Sequence, residues 1–441
     1  YVKEPGDPVA PGTYTWRAIA HPGIGLRLRG WAHNGGSHPW NAGPGTGWGG
    51  NHGVPCAVAA DAKKIYLGWS YAEGPAPLVA VDADGQVQWR LGMGGKDEAT
   101  SLGVDGGTVY AGFHGNQALY RVDAASGEFT SWKGTESSEL HVHKLWESPD
   151  AMPRRFAGMD AADGKVYLAF NAPTRFLESQ ITDWKAFLTR LKETPGPLAG
   201  VYKNLMDKFK RPIERYLKGR AAYKDIRVRP VLRAMNEKLD DPALGNSATT
   251  PVARRIAARA AIRKAFAGLI RQPRGEFVAV LDSATGKVER IIDVPLPTAL
   301  AAAGPHRVLV ASKGTDVLAL DPASGKTTPV LQNAGSIRDL AAREDGGMCV
   351  LVGAPENQVK AFDARGKLDQ TLGKKGGRAP LGPWNPAGMR EPSAVALDAA
   401  GRAWVAESLR TPKRFVVWDM KTGKVADEHF GPTQYGASGG A

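Results

Sequence analysis

One pattern recurs along nearly the whole chain: an apolar strand ending in Asp, a turn carrying Gly, and a second strand. Its copies read LVAVDADGQVQW, LYRVDAASGEFTSW, FVAVLDSATGKVERI, VLALDPASGKTTPV, VKAFDARGKLDQTL and FVVWDMKTGKVADEHF, with aspartates Asp82, Asp123, Asp282, Asp321, Asp363 and Asp419. Ahead of each stands another unit, an alternating strand, a turn and a strand ending in small residues: AVAADAKKIYLGW, SLGVDGGTVYAGF, AGMDAADGKVYLAF, ALAAAGPHRVLVAS, DLAAREDGGMCVLVG and AVALDAAGRAWVAE. Asp82 and Asp123 are 41 residues apart, Asp282 and Asp321 are 39 apart, and Asp321 and Asp363 are 42 apart. Four strands of about five residues with three turns need about 40 residues. In each turn Asp accepts backbone hydrogen bonds and Gly takes the positive φ that closes the hairpin.

A four-stranded sheet of this kind cannot bury both faces alone, and stacking such sheets in a ring supplies the core. The six pairs of hairpins therefore predict an all-β fold, a β-propeller of about six four-stranded blades, with seven as the alternative. The 54 glycines and 31 prolines, nearly a fifth of the 441 residues, suit many short strands and tight turns. No run of eighteen uncharged apolar residues is present to span a bilayer as a helix. Cys56 and Cys349 are both read as lying in the first strand of a blade, as small apolar side chains rather than a disulfide or a ligand pair. The start at Tyr1, without a signal peptide, reads as a processed product, so the expected setting is secreted or periplasmic.

Two segments depart from the repeat. Residues 1–54 hold an alternating hairpin (Tyr14, Trp16, Ala18; Leu26, Leu28, Trp31) and a loop rich in Gly, Trp and His. The blades then occupy 55–172, up to the first half of the third, and resume from 275 to 431, ahead of a flexible tail at 432–441. Between them, residues 173–274 switch to helical periodicity in FLESQITDWKAFLTRLKE, LAGVYKNLMDKFKRPIERYL and ARRIAARAAIRKAFAGLI. From 174 to 274 there are 23 Lys and Arg against 9 Asp and Glu, a surplus of 14 in a chain whose net charge is +13. The blades themselves are thus close to neutral. So local a surplus suits a lid or a docking surface for an anionic ligand or an acidic protein partner. Nucleic acid is the poorest fit, because no recognition motif and few interleaved aromatics accompany the charge.

In a propeller, the loops entering the innermost strands and those joining second to third strands crowd one face around the axis. The former offer His52, Glu98, Arg155 and Glu391; the latter offer Trp69, Tyr71, Glu73, His114, Glu407 and Arg410. His52, His114 and Glu407 are the candidates for proton transfer, and Trp69, Tyr71, Glu73, Glu98, Arg155, Glu391 and Arg410 for ligand binding. His52, His114, His141 and His143 could converge on a divalent metal, the pair at 141 and 143 sharing one strand face. No Walker loop, haem-attachment CxxCH or HExxH is present to name a cofactor or a reaction. Three functions stay open: a binding or scaffold module; a lyase or hydrolase, with or without a metal, acting on an acidic polysaccharide or similar anion; and, on the turn sequences alone, a quinone-dependent oxidoreductase.

PSAVALDAAGRAWVAE (392–407) resembles an NHL repeat, and the Asp-x-x-Ser-Gly-Lys turns resemble those of PQQ-type propeller repeats. The N-terminal stretch with the first blade is similar to uncharacterised secreted propeller regions of planctomycete-type bacteria. The resemblance implies the fold and no particular activity.

Overall fold

The computed structural model describes residues 54–70, 77–91, 98–113, 118–141, 156–170, 181–195, 198–219, 235, 258, 261–262, 264–270, 276–379, 384–409 and 414–430. The N-terminal hairpin, the Gly/Trp/His-rich loop up to residue 53 and the tail from 432 lie outside them.

The strands form six four-stranded antiparallel sheets, each a simple meander. Blade 1 is β1 (Pro55–Ala60), β2 (Ile65–Trp69), β3 (Leu78–Val81) and β4 (Val87–Leu91); blade 2 is β5 (Ser101–Asp105), β6 (Thr108–Phe113), β7 (Ala118–Asp123) and β8 (Glu139–His141). Blade 3 is β9 (Phe156–Ala162), β10 (Lys165–Phe170), β11 (Phe277–Asp282) and β12 (Val288–Asp293), and blade 4 is β13 (Pro297–Ala302), β14 (Val308–Ser312), β15 (Asp316–Leu320) and β16 (Thr327–Leu331). Blade 5 is β17 (Ile337–Ala342), β18 (Met348–Val352), β19 (Gln358–Phe362) and β20 (Leu368–Leu372); blade 6 is β21 (Pro392–Leu397), β22 (Arg402–Glu407), β23 (Arg414–Asp419) and β24 (Lys424–Phe430). The first strands touch one another in order around the ring, and β21 returns to β1. The expected six-bladed propeller is the fold.

The repeat's signature is the turn between third and fourth strands. Asp123 accepts from the amides of Ala125 and Ser126, and Asp419 from those of Lys421 and Thr422. These bonds hold both carboxyls below the usual range, as similar ones do for Asp282, Asp321 and Asp363. The glycine of the turn has a second duty. A Cβ on Gly127 would lie 2.5 Å from the Trp89 ring, and one on Gly286 2.6 Å from Leu140 and 3.0 Å from Trp132. Around the ring Ile292 meets Gly325, Leu331 meets Gly366, Gln370 meets Gly423, and His429 meets Gly85. Each blade thus presses a side chain from its outer region onto the turn of the next; at Gly85, Gly127 and Gly286 the positive φ and the missing Cβ are both needed, while at Gly325 the neighbour lies at ordinary contact distance.

Blade 2 departs from its siblings. Val122 and Phe129 form only an isolated bridge, and the fourth strand is Glu139–His141 rather than the stretch directly after the turn. Trp132 fills the detour, buried beneath Gly286 with its Nε1 donating to Ser138 O at 3.0 Å. Cys349 lies in β18, a second strand, which corrects the reading of it as a first-strand residue; Cys56 is in β1. Both are free thiols, with burial raising Cys349 to about 12 and Cys56 further still.

Blade 3 is interrupted between β10 and β11, whose last pair is Phe170 with Phe277. The interruption contains α1 (Trp184–Glu193) and α2 (Ala199–Leu217). Asp183 caps α1, accepting from Ala186 N at 2.9 Å. Ala258, Ala261, Ile262, Lys264 and Ala265 are also helical. Trp184, Phe187, Leu188 and Leu191 of α1 pack with Val201, Ile213, Ile262 and Phe266 in a hydrophobic cluster made of insertion residues alone.

Candidate functional site

The six first strands enclose a central cavity of about 290 Å³. Five carry a one-residue bulge near their start, at Cys56, Ala157, Thr298, Arg338 and Ser393; in blade 2 Thr100 stands at that place. The usual role of this position is to tie the bulge to the second strand. Thr100 Oγ1 donates to Gly112 O, Thr298 Oγ1 to Ala311 O, Ser393 Oγ to Ala406 O, and the Cys56 thiol to Gly68 O. Ala157 and Arg338 are the exceptions: Ala157 has no polar group to offer, and Arg338 is exposed and makes no hydrogen bond or ion pair with a described residue. One residue further on, Ala57, Gly158, Ala299 and Ala394 have Asp339 as their counterpart in blade 5; two beyond that, Ala59, Ala301, Ala341 and Ala396 have Asp160 in blade 3.

Both aspartates line the cavity and clasp the following blade. Asp160 accepts from Ala302 N at 2.8 Å and from its neighbour Ala161 N, and Asp339 accepts from Val395 N at 2.9 Å. Burial pushes Asp160 up to about 6, aided by the charge of Asp105, and Asp339 up to about 7, aided by that of Asp160; the amides only partly offset this.

A second charged assembly sits at the end of β22. Glu407 is fully buried and meets Arg414 at 2.6 Å and Arg378 at 2.5 Å. Arg414 also reaches Glu428 at 2.9 Å and the Pro386 carbonyl, while Arg378 donates to Gly388 O. Both guanidiniums lie over the Trp384 ring, at 4.6 Å for Arg378 and 5.2 Å for Arg414. This cage fastens the 384–391 segment onto blade 6.

The insertion supplies the third feature. On α2, which is kinked at Phe209, Lys203, Lys210, Arg211, Arg215 and Lys218 (its C-cap) are exposed together with Asp207, and Arg211, Arg215 and Lys218 share a face at spacings of four and three. Lys185, Arg190 and Lys192 of α1 are exposed as well. The helices hang from the connection between the second and third strands of blade 3.

Of the residues singled out from sequence, Trp69 is fully buried between blades 1 and 6, edge-on to Phe415 at 5.5 Å. Glu407 belongs to the buried cage. Glu98 is half-buried and adds its charge to the surroundings of Cys56. Glu391 is exposed, with a left-handed φ of 49° and its carbonyl bonded to Ser408 N. His141 ends β8, the outermost strand of blade 2, 3.4 Å from Glu139. His52, Tyr71, Glu73, His114, His143, Arg155 and Arg410 lie outside the described residues. Among the described residues no three His, Cys, Asp or Glu side chains cluster as metal ligands would. Sequence reasoning passed over Arg338, Asp339 and Asp160. Aligning the six first strands isolates them, as charges where the sibling blades carry small residues.

No protein-family model matches the chain, and no curated protein matches it either. Among solved structures it is similar to BamB from Moraxella catarrhalis, at 11% identity over 85% of this chain and 74% of that one, with a TM-score of 0.32. It is also similar to Kuenenia stuttgartiensis hydrazine synthase, at 11% identity over 86% and 80% of the two chains, with a TM-score of 0.42.

Proposed function

We propose that this protein is a binding and scaffold module whose helical insertion docks an acidic protein partner. The observation that carries this reading is the exposed basic face of α2 on a helical unit with its own apolar core. A lid that closed by burying an apolar face would leave that face uncovered when open, whereas the described apolar residues of the insertion pack on one another. The described helices present more Lys and Arg than acid to solvent, with Asp207 and Glu193 exposed among them, and a net positive field draws and orients an acidic surface. An extracytoplasmic setting and repeats of the NHL and PQQ-like kind belong to the same reading.

The test is fluorescence anisotropy of labelled poly-L-glutamate with the full chain, against a variant carrying K203E, K210E, R211E, R215E and K218E. The wild type should bind with an affinity that falls steeply with salt, and the variant should lose at least about tenfold. Equal binding by both would remove the docking surface. Heparin or anionic vesicles binding in preference to polyglutamate would redirect the surface to a glycan or a lipid.

A further inference from the structure

We propose that the central channel binds a small zwitterion, its ammonium group on the carboxylates of Asp339 and Asp160 and its anionic end on Arg338. The first argument is the repeat itself. At three positions along the first strands the sibling blades carry Ala, Gly, Ser, Thr or Cys, and the three charges depart from that pattern within one cavity. The fold has no need of a cation at Arg338, since three other bulges are tied down with a hydroxyl or a thiol, blade 2 has a threonine hydroxyl at the same place and blade 3 manages with Ala157.

The charges are also held ready. A Cβ at Gly353 would lie 2.4 Å from Arg338 Nε and 3.0 Å from its Cγ, so the arginine stem rests on bare backbone. Asp160 and Asp339 are oriented by backbone amides of their own and the following blade. Among the described residues the charges that act on these carboxylates are those of other acids, Asp105 on Asp160 and Asp160 on Asp339, so the site between the two aspartates favours a cation. A ligand ammonium supplies it, and an anionic end answers the unpaired guanidinium.

Spacing selects the ligand. Arg338 and the level of Asp160 are three residues apart along the strand direction, or about 10 Å at roughly 3.3 Å per residue. An α-amino acid is too short to reach both ends; a linear ω-amino acid of five or six carbons has the right span, and about 290 Å³ accommodates it.

Isothermal titration of the full chain with 6-aminohexanoate, with hexylamine and hexanoate as single-charge controls, tests this directly. The zwitterion should bind at least about tenfold more tightly than either control. R338S, which installs the serine of blade 6, should bring 6-aminohexanoate down to the level of hexylamine. D160N/D339N should abolish binding of both amines with the circular dichroism spectrum unchanged. Absence of binding by the wild type, equal binding of hexylamine, or full binding by a folded R338S protein would each overturn the proposal. If D160N/D339N fails to fold, R338S and the two controls still decide it.

Discussion

At Gly127 a single methyl group would meet the Trp89 ring at 2.5 Å in a backbone conformation with φ of 77°. G127A combines left-handed strain with overpacking and should cost roughly 2 to 4 kcal/mol, measured by urea unfolding. An unchanged midpoint would mean that the blade-to-blade key is loose. E407Q removes the charge that holds Arg378 and Arg414 in a buried site, and a loss of about 3 to 5 kcal/mol is expected. The aspartates divide into two kinds with opposite pH behaviour. Asp160 and Asp339 bind protons more tightly folded than unfolded, so the stability they confer is full below about pH 4 and is lost as pH rises through about 6 and 7. The turn aspartates are depressed, so theirs is present above about pH 4 and is lost as the medium is acidified below it. Melts of the wild type and of D160N/D339N between about pH 2 and 8 separate the two: the double variant should lose most of the decline seen on the alkaline side and keep the one on the acid side. An identical slope in both proteins would show that other groups set it.

The strands were legible because their chemistry is local. Asp and Gly at a fixed offset form a turn from bonds within five residues, so LVAVDADGQVQW declares a hairpin whatever surrounds it. The fourth strand of blade 2 was not legible, since its displacement to Glu139–His141 depends on Trp132 reaching a glycine of the next blade. Trp69 and Glu407 misled for a similar reason. Both stand at the end of a second strand, where the loop begins, but one points into the seam between blades and the other into an arginine cage that forms only in three dimensions. The helical character of the insertion was readable from its period, and its separate core from none of the local signals. That core makes a prediction at the scale of the element. Replacing residues 173–274 by a short turn between β10 and β11 should leave the strand content and the melting temperature of the remaining ring within a few degrees, because Phe170 already pairs with Phe277. Collapse of the shortened protein would show that the insertion props the ring.

For the whole molecule, the described blades close by packing, with β1 beside β21 and Trp69, Phe415 and Trp404 filling the seam. Ser393 adds a hydrogen bond to Pro55 O, 338 residues away in sequence. The charge is concentrated in one segment: residues 174–274 carry a surplus of 14 positive charges and the rest of the chain is nearly balanced. Such a division fits a platform that recruits through one arm. Hydrogen exchange of the full chain with and without polyglutamate examines that division most directly. The account predicts slowed exchange across residues 199–218 with the turns between first and second strands, at Asp61, Asp345 and Asp398, unchanged; protection confined to the blades, with none in the insertion, would contradict it.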